Sequence, residues 1–239
     1  MVSGAGSPIG RAVVQRLRKK KALLVLADID AAALAEATEL AGDQAVTVTG
    51  DLSDREVATN FAQAALNAFG RIDILVNNAG GGIIKPFTEH TPETMKTTID
   101  RNLWTCLWCC WAVLPTMKAQ GYGRIVNIGA DSVRNGLAEH AVYNAAKGGV
   151  HGLTTGLATE FANADITINT VAPCIVNTPV VQKGLAAGSP RVAEFLKVVP
   201  KGRPGEPAEI ASMVAYLASE EAAFITGQVV SVNGGSTML

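Results

Sequence analysis

The sequence has no surplus of charge of either sign. Its 239 residues carry 20 Lys and Arg against 21 Asp and Glu, a formal net charge of −1, and only 17% of residues are charged. That balance removes any global electrostatic reason to bind nucleic acid or an anionic membrane surface. Long apolar runs are missing as well. Hydrophobic residues make up 48% of the chain, yet charges or glycines interrupt each run well short of the ~20 residues that span a bilayer. No basic stretch followed by an apolar segment opens the chain, as a secretory signal would. A soluble, cytoplasmic protein is the expectation.

Cysteine is scarce, and what there is clusters. Cys106, Cys109 and Cys110 lie within the apolar stretch Trp104–Trp111, and Cys174 stands alone. Spacings of three and four put the first three thiols on one side of a helix. No His or carboxylate interleaves them, so a metal site lacks ligands and buried core or interface thiols are expected. Trp104, Trp108 and Trp111 share the helical spacing and predict a core or subunit-interface stripe.

What the chain does have is alternation. Ala22–Ala27, Ala45–Thr49, Ile72–Val76, Arg124–Ile128, Thr167–Val171 and Gln228–Val232 read as short strands. Between them lie helical segments: Ala31–Leu40, Ser53–Phe69 with Ser53 as cap and Glu56 completing a capping box, a long helix after Thr91 that ends near Pro115, His140–Ala162, and Ala208–Ala218. Strict β-α alternation with buried strands predicts an α/β protein, a doubly wound parallel sheet with helices on both faces, in one domain over residues 1–239. Thr178–Gly205 breaks the pattern. With four prolines, four glycines and no clear strand, it predicts a substrate-covering lid.

Ser3-Gly-Ala-Gly-Ser-Pro-Ile-Gly10 runs directly into the helical segment Arg11–Lys19. Glycines there let the backbone turn tightly and approach a pyrophosphate, whose charge the helix N-terminus stabilises. Asp28 ends the next strand, where a carboxylate accepts hydrogen bonds from an adenosine ribose and repels a 2′-phosphate. The pair predicts NAD as cofactor in preference to NADP.

Further along, Asn77-Asn-Ala-Gly80 follows a buried strand, Asn102 sits in Arg101-Asn-Leu, Tyr143-Asn-Ala-Ala-Lys147 has the Tyr-x-x-x-Lys form, and Phe224–Gly235 closes on Asn233-Gly-Gly. Taken in this order over essentially the whole chain, these segments resemble the short-chain dehydrogenase/reductase family. The resemblance implies a Rossmann-like fold and a homotetramer or homodimer. It places Gly4, Ser7, Ile9 and Gly10 in the phosphate turn, Asp51 at the adenine with Leu52 beside it, and Asn78, Ala79 and Gly80 along the cofactor groove. Pro173, Val176 and Thr178 fall at the nicotinamide end, with Thr178 on the carboxamide. Catalysis would rest on Tyr143 and Lys147, with Asn102 holding a water that links Lys147 to solvent.

Tyr143 and Lys147 are four apart and share a helix face. A phenol is a poor base at its ordinary pKa of ~10. A fixed ammonium and a positive nicotinamide favour the phenolate and lower that value, so Tyr143 can take the proton of an alcohol as hydride leaves the carbinol carbon, or return it in the reverse direction. Lys147 would also hold the nicotinamide ribose.

Four departures from the family pattern carry information. The family's serine, thirteen residues before the tyrosine, is Ala130 here; Ser132 is the expected replacement, with Asp131, a water or a real catalytic gap as alternatives. Pro8 replaces the middle glycine of the phosphate turn and predicts altered cofactor affinity. Cys174 stands where a glycine follows the family's proline, which predicts a small buried pocket thiol. Only Met1-Val2-Ser3 precede Gly4, so the first strand is expected to be truncated.

Gly81, Gly82, Ile83, Ile84, Asn135, Leu137, His140, Cys174, Asn177 and Val180 are candidate walls of the substrate pocket. Their mostly apolar character suits a small-molecule secondary alcohol or ketone with a hydrocarbon body, an alicyclic one included. Arg134 could meet an anion, and His140, one turn before Tyr143, suits packing or lid contact. A 3-oxoacyl thioester reductase is the alternative enzyme, and a weakly catalytic NAD-binding sensor or assembly protein the alternative of another class.

Overall fold

A computed structural model describes residues 1–238. Seven strands form one parallel sheet: β1 Val2–Ser3, β2 Val25–Asp28, β3 Val46–Thr49, β4 Ile74–Asn77, β5 Tyr122–Ile128, β6 Asp165–Pro173 and β7 Val229–Val232. Their spatial order is β3-β2-β1-β4-β5-β6-β7, so the chain reverses direction across the sheet between β1 and β4. In such sheets ligands bind beyond the strand carboxyl ends at this switch point. The α/β doubly wound expectation is met.

Ten helices connect or cover the strands: α1 Pro8–Lys19, α2 Ala31–Ala41, α3 Arg55–Phe69, α4 Pro92–Ile99, α5 Thr105–Gln120, α6 Ser132–Asn135, α7 Ala141–Glu160, α8 Pro179–Ala186, α9 Pro190–Lys197 and α10 Pro207–Leu217, counted among the described residues. One core layer joins Phe61 of α3, Met117 of α5 and Val150 of α7 to Leu75, Ile125 and Ile168 of the sheet. The other joins Val13 of α1, Leu34 of α2 and Ile210 of α10 to Leu26, Val76 and Val126. Adjacent strand residues point to opposite faces, so Leu75 and Val76 feed different layers. Both faces are covered, which is why the central strands read as unbroken apolar runs.

Several boundaries differ from the sequence reading. Helix α3 is capped by Asp54, whose side chain accepts from Glu56 N, and not by Ser53. Ser53 is one residue early because a turn intervenes, with Asp54 N bonded to Asp51 O and Ser53 N to Asp51 Oδ1. Helix α5 does not stop at Pro115 but continues to Gln120 and a left-handed Gly121. The carbonyl that Pro115 leaves unbonded belongs to the solvent-exposed Trp111. Thr178–Gly205 is not irregular; it contains α8 and α9, each opened by a proline at its first position.

Cys106, Cys109 and Cys110 are buried in the core, as expected. Trp108 is half-buried and stacks on Trp104, with ring centroids 5.2 Å apart, while Trp104 and Trp111 are exposed. The tryptophans therefore form a surface stripe and not a core one. No helix among the described residues is long and apolar enough to cross a membrane.

Candidate active site

The carboxyl ends of β1, β2, β4 and β5 open on a groove of about 590 Å³. Helix α1 points its N-terminus into it. Ser7 caps that helix, its Oγ accepting from Gly10 N at 3.0 Å and donating to Gly4 O at 2.9 Å. Pro8 occupies the first helical position, where the missing N–H would have had no helical partner. The turn thus keeps its shape with Pro8 present, and the Ile9 N–H stays free among the described residues to meet an anion. Gly10 lies under the turn instead of lining the groove; a Cβ there would collide with the Gly4 and Ala5 backbone.

Asp28 stands at the groove wall, its Oδ2 accepting from Gly6 N at 2.9 Å and its Oδ1 from Asp30 N at 3.0 Å. Gly4, Ser7, Ile9, Asp51, Leu52, Asn78, Ala79, Gly80 and Thr178 line the same groove. Asn78 also ties the turn to β4, donating to Ser3 O, Gly4 O and Ser7 Oγ. Pro173 and Val176 do not reach this groove; they line the neighbouring cavity. Gly6, Pro8 and Arg101 line the groove and were not anticipated as groove residues.

At the inner end of the groove a cluster of buried side chains surrounds Gly80. A Cβ on Gly80 would meet Asn102 Oδ1 at 2.7 Å and Lys147 Nζ at 3.2 Å. Asn102 occupies a π-helical turn, Asp100–Trp104, inserted between α4 and α5. Its Nδ2 donates to Gly81 O and Thr98 O, and its Oδ1 accepts from Gly81 N, so it clasps the loop after β4 directly. One extra residue per turn is invisible to a 3.6-residue pattern, yet such bulges concentrate at functional sites.

Helix α7 presents Tyr143 and Lys147 to this cluster. Lys147 Nζ donates to Ile128 O at 2.7 Å and lies 5.9 Å from the Tyr143 ring centre. Burial dominates both groups. It lowers the ammonium from 10.5 to about 8, partly offset by Cys106, and pushes the Tyr143 phenol up to about 12. The expected lowering of the tyrosine is therefore absent in the protein by itself: at this separation the ammonium does not outweigh desolvation. A second positive charge in the groove would be needed to draw the phenolate out.

Tyr143 sits on a border. It lines this groove on one side and, on the other, a largely apolar cavity of about 680 Å³; Ile9, Ile128 and Thr178 share both. Of the anticipated walls, Gly82, Ile84, Leu137, His140, Cys174 and Val180 line this cavity, while Gly81, Ile83, Asn135 and Asn177 do not. Ala130 and Ser132 line it next to Tyr143. Ser132 reaches the cavity as expected, but its hydroxyl donates to Asn144 Oδ1 at 2.6 Å. Asp131 is turned away from it, accepting from Ser231 Oγ and Asn233 Nδ2 near the C-terminus. Arg134 is turned away too, spending its guanidinium on Ser231 Oγ and Val229 O.

A family model described as enoyl-(acyl carrier protein) reductase matches residues 4–237. The chain is 56% identical over 243 residues to 2,3-dihydroxy-2,3-dihydro-p-cumate dehydrogenase of Pseudomonas putida, covering 100% of this chain and 94% of that one. The chain belongs to the short-chain dehydrogenase/reductase family. A second relative of this dehydrogenase, 1,6-dihydroxycyclohexa-2,4-diene-1-carboxylate dehydrogenase of Acinetobacter baylyi, is 36% identical, with 98% and 94% of the two chains covered. The crystal structure of levodione reductase superposes with a TM-score of 0.91 at 32% identity, covering 98% of this chain and 95% of that one. The protein is an oxidoreductase of alcohols and ketones, and its fold is the family's.

The sequence reading missed three features of the dehydrogenase's site: the π-helical turn, Asn144 as partner of Ser132, and the contribution of α9. Arg191 and Phe195 of that helix both line the cavity. Their spacing of four after Ser189-Pro190 was a helical signal that the prolines and glycines of the segment obscured.

Proposed function

We propose that the protein oxidises a ring-borne vicinal diol carrying a carboxylate, with NAD as hydride acceptor and Tyr143 as proton acceptor. The observation that carries this reading is the position of Tyr143 where the Asp28-bearing groove at the N-terminus of α1 meets a second, largely apolar cavity. The groove residues fit a dinucleotide: the free Ile9 N–H at a helix N-terminus suits a pyrophosphate, and Asp28 suits ribose hydroxyls and disfavours a 2′-phosphate. When bound, oxidised nicotinamide supplies the hydride acceptor and a positive charge. Tyr143 takes the substrate proton as phenolate, and Lys147, which spends one donor on Ile128 O, has two left for ribose hydroxyls and for stabilising that phenolate. Asn102 holds Gly80 and Gly81 in place beside the ammonium.

The cavity favours an alicyclic body. Ile84, Leu137, Val180, Val181 and Val192 supply apolar surface, and Arg191 is the one permanently charged side chain among its lining residues. Both named relatives act on ring diols, and the guanidinium is where a ring carboxylate would be held. Residues Thr178–Gly205, through α8 and α9, act as the lid, and residues 1–239 work as one domain. The exposed Trp104, at the end of the π-helical turn, and Trp111 of α5 support association as a homodimer or homotetramer, and a cytoplasmic setting suits four unpaired cysteines.

The test is a panel of cis-dihydrodiols of benzoate and benzene, cyclic mono-alcohols and 3-hydroxyacyl thioesters, offered with NAD and NADP and followed by nicotinamide absorbance. The expected result is highest kcat/KM for the carboxylated diol with NAD. A preference for the thioester overturns the proposal.

A further inference from the structure

The diol reading leaves one hydroxyl without a partner. Tyr143 engages the oxygen that is oxidised; the neighbouring hydroxyl enters the same, mostly apolar cavity and must find an acceptor there, because a buried hydroxyl without one is disfavoured.

His140 is 8% exposed and lines the cavity one turn before Tyr143, with ring centres 6.1 Å apart. Its Nδ1 is 2.7 Å from Ala138 O. A carbonyl oxygen only accepts, so Nδ1 carries the hydrogen, and in the neutral ring Nε2 is left as an acceptor. Nε2 has no protein partner among the described residues and keeps accessible surface, on a side chain that lines the cavity. The ring is held on its other side by Phe195 of the lid, with centres 5.3 Å apart. Its aim is thus set by a backbone bond, by the lid and by Tyr143 itself. The cavity's two other polar side chains beside Tyr143, Ser132 and Thr178, are already tied to the protein, Ser132 by donating to Asn144 and Thr178 Oγ1 by accepting from Val181 N as a helix cap, whereas His140 Nε2 has no bond to the protein among the described residues.

We infer that His140 Nε2 accepts a hydrogen bond from the second, non-reacting hydroxyl of a vicinal diol and is the residue that makes the enzyme a diol dehydrogenase. The inference rests on the ring-diol reading above. It makes His140 a specificity residue that touches substrate, while proton transfer stays with Tyr143. Two adjacent polar groups, one basic and one ionisable, then read two adjacent hydroxyls on one ring face, and a ring with a single hydroxyl leaves Nε2 unpaired. Sites that bond a substrate hydroxyl discriminate strongly against analogues that lack it.

The experiment compares wild type, His140→Phe and His140→Gln on the cis-dihydrodiol of benzene and on cyclohexenol, with saturating NAD. Phenylalanine keeps the aromatic packing on Phe195 and Tyr143 and removes the acceptor; glutamine restores an acceptor. His140→Phe is expected to lose about 10- to 100-fold in kcat/KM on the diol and less than about threefold on cyclohexenol. His140→Gln is expected to recover part of the diol activity. Equal losses on both substrates assign His140 to packing and overturn the inference, as does an unchanged diol rate. A wild-type enzyme that oxidises cyclohexenol but neither this diol nor its carboxylated form overturns the diol reading, and this inference with it.

Discussion

The hydroxyl of Ser132 donates to Oδ1 of Asn144, 2.6 Å away, and Asn144 is the residue that follows Tyr143. With the amide turned over, Asn144 Nδ2 donates to Ser132 Oγ instead, and the serine proton is released toward the cavity. In that orientation we propose that Ser132 replaces the hydroxyl the family pattern has at position 130, two residues earlier. Ser132→Ala is expected to lower kcat about 100-fold or more, and Ala130→Ser introduced with it to recover part of the loss. Asn144→Asp, which can only accept, keeps the serine proton occupied and is expected to lower kcat about 10-fold. Steady-state kinetics with near-wild-type kcat for Ser132→Ala would remove the serine from the mechanism.

In the proposed reading Asp28 is the residue that disfavours NADP, through its charge. Asp28→Asn retains an acceptor for Gly6 N and removes the repulsion of a 2′-phosphate. The ratio of kcat/KM for NAD to that for NADP is expected to fall at least about 10-fold. A ratio that does not move places the discrimination elsewhere.

Burying Lys147 costs stability. Burial takes its ammonium from 10.5 to about 8, a gap worth about 3 kcal/mol. Because the folded value is the lower one, charge on the folded protein is penalised in full below about pH 8. The penalty fades between about 8 and 10.5, where the unfolded chain binds the extra proton. Lys147→Met is therefore expected to abolish turnover yet raise Tm at pH 7, by about 3–6 °C after the bond to Ile128 O is lost. The advantage shrinks as pH rises toward 10. Calorimetry showing a less stable Lys147→Met at pH 7 would contradict this.

Arg191 of the proposed lid is the charged side chain placed to meet a substrate carboxylate. Its Nη2 reaches Ile84 O at 3.1 Å and Glu139 Oε2 at 2.9 Å, and its guanidinium lies over Phe195. Glu139 is held in a left-handed backbone conformation, φ 63°, which non-glycine residues adopt with strain. Arg191→Met is expected to raise KM about 10- to 100-fold for the dihydrodiol of benzoate and less than about threefold for that of benzene. Glu139→Gln, which removes the competing carboxylate, is expected to lower KM for the charged substrate. Equal effects of Arg191→Met on both substrates would make the arginine a lid clip only.

How much of this was legible in the chain depends on the range of the interaction. The glycine turn, Asp28 at a strand end and the β-α alternation follow from local geometry, so the sequence alone pointed to the parallel sheet and the groove, while Tyr143 and Lys147 came from the family resemblance and their shared helix face. Local rules also explain the small errors: Asp54 and Ser53 are both good caps, and only the turn from Asp51 chose between them. The π-helical turn at Asn102, the union of Ser132 with Asn144 and the convergence of His140, Tyr143 and Phe195 needed the tertiary structure. Burial is a property of packing, and it decided that Tyr143 rises to about 12 where its neighbouring ammonium alone argued for a fall. Spacing along a helix says which groups can meet; only the packed surroundings fix how much water each keeps, and with it which charge is favoured.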